Sequence, residues 1–215
     1  DFLISLPRYK KILSERISMM ECLRMNEDDY KRALDGDMNL EDADLSDVNL
    51  RGAHLEHANL RGANLEGAHL EGASLVDADL GRAYLEGANM ENANLKIAQL
   101  TDANLKGAHL EGADLSFATM IGANLKNAHL RSANLLGANM EGASLREGDL
   151  LGANMREVNL KHVDLINADL QNANLEDAHL EGAHFEGANL EGANLRGANL
   201  EGAHLEATNL KNIQK

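Results

Sequence analysis

The chain has 215 residues and a formal net charge of −15, with three Phe, three Tyr, no Trp, one Pro and a single cysteine, Cys22. So acidic a chain makes a poor direct partner for nucleic acid or for an anionic membrane surface, since both are held mainly through Lys and Arg. One cysteine forbids an intramolecular disulfide, and no apolar run reaches the about 18 residues of a membrane-spanning helix, so no membrane insertion is expected.

Residues 1–36 read as helical. Leu6, Tyr9, Leu13, Ile17, Met20 and Leu23 recur at steps of three or four residues, the spacing of an amphipathic helix. Pro7 suits its first turn. A second short helix is expected from Asn26, with Asp29 as capping partner, to Leu34, with Gly36 as its stop. The two together read as a cap over the first turn of the domain that follows, residues 37–215, shielding its apolar end. A linker or docking helix of a larger protein is the alternative. The chain starts on Asp rather than Met and carries no signal-peptide pattern. It is expected to be a piece of a longer protein that is cytoplasmic, or secreted as an effector.

From Leu40 to Leu210 every fifth residue is large and apolar, in 35 unbroken positions: 30 Leu, Met90, Met120, Met140, Met155 and Phe185. Two residues before each stands a second series, Ala in 29 of the 35 units. Asn, Asp, His or Ser usually separates the two, and a charged residue followed by Gly, Asn or Asp closes the unit. A period of five leaves no apolar face on an α-helix, and on a flat strand it would flip each Leu to the opposite side. A chain that turns once per unit does fit. Ala and Leu, two apart, point inward from a short extended segment, the residue between them points out, and the Gly-, Asn- and Asp-rich pair makes the corner.

The unit Ala63-Asn64-Leu65-Glu66-Gly67 resembles the pentapeptide-repeat family, and the pattern covers residues 38–210. The resemblance implies an all-β solenoid, a right-handed quadrilateral β-helix with four units per coil. It would have about nine coils and be roughly 40 Å long at the spacing of paired strands.

No catalytic constellation is present: the sequence has no phosphate loop, nucleophile elbow or Cys–His set. The expectation is a non-enzymatic chain without cofactor. Seven histidines, His54, His69, His109, His129, His179, His184 and His204, occupy the slot between Ala and Leu. If units twenty residues apart stack, His109 meets His129 and His184 meets His204, at a spacing that would suit a transition metal. The slot accepts any short polar side chain, however, and no metal is assigned.

The outward positions are left to carry function. Net charge is −9 over residues 38–116, zero over 117–165 and −5 over 166–215. The neutral middle also breaks the polar rule, because Ile121, Leu136, Leu151 and Ile166 stand where charge is usual and Phe117 where Gly or Asn is usual. Four-unit stacking places Val76, Ile97, Phe117 and Leu136 along one face, with Ile121 past the next corner. Exposed apolar patches mark partner sites. The reading is a protein-binding or scaffolding solenoid, with self-association end to end or face to face as one mode.

Two alternatives remain. Some members of the family mimic DNA and bind type II topoisomerases such as DNA gyrase. Duplex DNA of that length carries about two dozen charges, against −14 over residues 38–215. The other alternative is a targeting or spacer rod within a larger bacterial effector or multidomain protein.

Overall fold

The computed structural model describes residues 38–215. The helices expected over 1–36, and the domain boundary after them, lie outside the described residues. Within them each unit is built as its pattern requires. Three extended residues put Ala and Leu inside and the slot residue outside, and two turn residues follow. Ala and Leu (or their Met, Val, Gly and Phe substitutes) are buried in almost every unit from Leu40 to Leu195 and form one continuous core. Toward residue 215 burial declines: Leu200 and Leu205 are half-buried and Leu210 is exposed. Among the described residues no helix is long and apolar enough to cross a membrane.

The slot residues pair in parallel with those twenty positions away, Asn39 with Asn59, Asn59 with Asp79, and onward. Five residues to a side and twenty to a circuit make a four-sided coil. The first face runs through Asn39, Gln99, Thr119 and Asn199, the second through Asp44, Tyr84, His184 and His204. The third runs through Asn49, His109, His129 and Asn209, and the fourth through His54, Asn134 and Gln214.

In a mid-rod unit whose slot is Asn or Asp, every backbone donor has a destination, which explains the sequence preferences. In the unit closing at Leu60, the Asn59 N–H donates to the Met38 carbonyl at 2.8 Å and the Leu60 N–H to the Asp79 carbonyl at 2.7 Å. The second turn residue, Gly62, donates to the Gly81 carbonyl at 2.9 Å, and the Ala63 N–H closes the corner on the Leu60 carbonyl at 3.0 Å. One donor is left, the N–H of the first turn residue, Arg61. It reaches the Asn59 side-chain oxygen at 3.2 Å. Asn and Asp therefore fill the slot because their side chains satisfy the one amide that the coils cannot.

Where Asn residues stack, they also bond to one another. Asn134 donates to Asp114 Oδ1 at 2.9 Å and accepts from Asn154 Nδ2 at 2.9 Å. Its oxygen also accepts the Leu136 N–H at 3.3 Å. Asn134→Ala removes all three contacts and should cost about 1–3 kcal/mol, read as a lower urea midpoint.

The inner column is Ala for a steric reason. The corner hydrogen bond onto the residue three back is 2.9 Å at Gly148 and lengthens to 3.2 Å at Val163 and 3.4 Å at Val158. Branching at Cβ pushes the turn open.

Candidate functional site

The second turn residue of each unit lies in the left-handed region, with φ between 55° and 74°. Gly fills many of these positions, and most others are Asn or Asp, which tolerate the conformation. Nine are neither Gly, Asn nor Asp, and two of these stand out as bulky apolar side chains in that backbone. Ile97 at φ 56° is the sole β-branched residue with positive φ among the described residues, and Phe117 at φ 59° is the sole Phe, Tyr or Trp. Both are also exposed, at 39 % and 51 %. Neither backbone preference nor burial accounts for them.

They sit one coil apart at the corner between the fourth and first faces. The Ile97 N–H donates to the Ser116 carbonyl at 3.0 Å and the Phe117 N–H to the Leu136 carbonyl at 2.9 Å. The Phe117 ring leans along the rod over Gly137, close enough that a Cβ there would meet ring carbon Cε1 at 2.7 Å. Leu136 is half-buried at the same corner, and Ser116 is the one buried polar residue among those described, 4 % exposed. Ile121 stands across the first face at the next corner, 39 % exposed. Between the two corners lie only uncharged side chains at this level, Gln99 and Thr119, with Thr101 one coil before Ile121.

The seven sequence candidates therefore separate. Ile97, Phe117 and Leu136 share one corner, Val76 continues it one coil earlier, and Ile121 faces them across a neutral strip. Leu151 lies at the corner between the third and fourth faces, where its carbonyl accepts the Ser132 N–H. Ile166 lies between the second and third, paired with Glu147. Both are half-buried and point away from the cluster. Sequence reading passed over Tyr84, 57 % exposed in a slot on the second face between Asn64 and Asn104. Its being the lone Tyr in a slot column was the available signal.

The histidines stack as their spacing implies. His109 and His129 have ring centroids 4.7 Å apart with planes 2° from parallel, and His184 and His204 stand 4.5 Å apart at 5°. The carboxylate two residues on turns back to the ring: His184 Nδ1 lies 3.2 Å from Glu186 Oε1. The Glu186 carboxyl is held below its ordinary pKa, first by its own backbone N–H, against some desolvation, and then by His184. Two other such glutamates have a cation from the coil before them. Arg51 reaches Glu71 at 2.6 Å and Lys161 reaches Glu181 at 3.3 Å.

A family model for pentapeptide repeats matches the chain in 8 copies, over windows from 39–75 to 173–212. The chain is similar to HetL, a pentapeptide repeat protein involved in heterocyst differentiation regulation from the cyanobacterium Nostoc sp. strain PCC 7120. The two are 36 % identical over 81 % of this chain and 84 % of HetL, with a TM-score of 0.42. It is also similar to Rfr23, from the cyanobacterium Cyanothece 51142, at 42 % identity over 42 % of this chain and 63 % of that one, TM-score 0.42. QnrB1, a plasmid-mediated fluoroquinolone resistance protein, matches at 18 % identity over 74 % of this chain and 90 % of its own, TM-score 0.40. No curated protein sequence matches the chain.

Proposed function

Because the chain belongs to the pentapeptide-repeat family, whose Ala and Leu columns are committed to folding, we propose that it acts through its outer surface as a non-enzymatic protein-binding rod. Its docking face is the first face at the level of Ile97, Phe117, Ile121 and Leu136. The rod carrying that face is read as a right-handed coil of about nine turns at the twenty-residue register.

The observation that supports this most is the placing of Ile97 and Phe117 in left-handed backbone. An L-residue there costs roughly 1–2 kcal/mol more than Gly, and nothing inside the rod requires either side chain. Strain held at an exposed apolar pair is a mark of function. The strip between the two corners is uncharged, so a partner can cover it without stranding a buried charge.

Phe117→Asp with Leu136→Asp tests the assignment, alongside Ile166→Asp on a remote corner. Each rod is immobilised, and retained proteins from the source cells are compared, together with self-association by ultracentrifugation. The expected result is association kept by the wild type and by Ile166→Asp and lost by the double variant, with an unchanged circular dichroism spectrum. Equal association by all three would remove this face from consideration.

A further inference from the structure

Six slot histidines are followed two residues later by Glu, which puts a carboxylate beside an imidazole. Where one histidine stands alone, the glutamate has found another partner. Glu71 takes Arg51 and Glu181 takes Lys161, while Glu56 is held by the Ser74 hydroxyl as well as by His54. Glu111 and Glu186 differ. Among the described residues, neither forms an ion pair with Lys or Arg. Arg131, stacked one coil beyond Glu111 at the same corner, is engaged by Asp149. In place of a cation, the next coil offers each of them a second imidazole.

The geometry is that of a ligand set. His109 Nδ1 and His129 Nδ1 lie 3.6 Å and 4.0 Å from Glu111 Oε1. In the other cluster His184 Nδ1 lies 3.2 Å from Glu186 Oε1, and one ligand atom from each of His184, Glu186 and His204 falls within 4.8 Å of the others. Two ligands about 2.0–2.1 Å from a tetrahedral ion stand roughly 3.3 Å apart, so the imidazole–carboxylate spacings are near those of a bound state, while the paired rings, 4.7 and 4.5 Å apart, must draw together. In both clusters the second oxygen, Oε2, is out of solvent without a hydrogen bond from another residue. Glu71 and Glu181 share that orphaned oxygen, so it marks the His-x-Glu fold-back, and the second imidazole makes the difference.

We propose that His109, Glu111 and His129 on the third face, and His184, Glu186 and His204 on the second, are two separate sites for a divalent first-row transition metal. Two imidazoles and one carboxylate match the nitrogen and oxygen preference of Zn2+ and its neighbours and leave a further position open. The rings are parallel, so each must turn about its Cβ–Cγ bond for the two Nδ1 lone pairs to converge. Both are surface side chains and free to do so. The sites lie away from the apolar cluster of the first face and do not depend on it.

The full chain, stripped with chelator, is titrated with ZnCl2 alone by calorimetry in a non-chelating buffer. Wild type should take up two ions, His129→Asn one, His204→Asn one and the double variant neither. Asn is native to both columns, so these variants keep the fold. His69→Asn and His179→Asn, which alter units with one histidine, should leave both ions in place. Glu111→Gln with Glu186→Gln provides a second route to the same loss. The assignment is overturned by absence of zinc uptake in the wild type, or by uptake that the histidine double variant and the glutamine double variant both retain.

Discussion

Ile97→Asn with Phe117→Asn should give a rod that melts higher than the wild type and binds its partner poorly. Asn occupies the same left-handed corner position at Asn92, Asn127 and Asn167. Substituting it removes a strain of roughly 1–2 kcal/mol at each site. The loss of the Phe117 ring from Gly137 offsets part of that gain. A net of about 1–2 kcal/mol raises Tm by roughly 2–4 °C per kcal/mol at this chain length. Association should weaken about thirtyfold or more if these two are the anchors of the interface. Stability and binding moving in opposite directions is the signature to look for. A variant that melts lower would mean the two side chains serve the fold, and one that melts higher yet binds as before would mean that they serve neither.

The largest loss of stability should come from the middle of the core. Leu125 is fully buried, with Leu105 and Leu145 one coil to either side. Leu125→Ala should cost about 2–5 kcal/mol, read as a shift of the urea midpoint. Leu205, in the same column but half-buried, should cost clearly less. The difference has a second source. In a solenoid each coil is held by its two neighbours alone, so a cavity in mid-rod weakens the coupling between two long arrays, whereas one near the last coil only increases fraying. Equal losses at the two positions would contradict nearest-neighbour stacking.

The fold was legible because one rule repeats. Any unit, such as Ala63 to Gly67, states which residues face in and which make the corner, and the structure bears out the circuit of twenty that the family resemblance implied. The site was legible in part. Phe117 and Leu136 stood out as departures from the rule, and stacking by twenty joined them to Ile97. The same rule, read only as polar against apolar, gave Leu151 and Ile166 equal weight although they occupy other corners. Left-handed backbone separates Ile97 and Phe117 from the rest, and the sequence hinted at it only through the Gly and Asn that usually fill their position. The histidine pairs were visible as spacing, but the contrast between Glu71, bound by Arg51, and Glu111, faced only by imidazoles, needed coordinates.

The twenty-residue register turns chain position into an angle. A residue's number divided by twenty leaves a remainder that names its side of the rod, and the quotient names its height. Inserting or deleting a single unit therefore acts as a quarter-turn frameshift: everything beyond it keeps its fold and rotates by one face. One unit duplicated between Phe117 and Leu136 would carry Leu136 round to the next corner with every core residue still in place. A duplication of four units would leave the sides in register and only lengthen the rod. Evolution of such a surface can thus proceed in two separate ways, by exchanging single outward residues and by rotating whole blocks of them past one another.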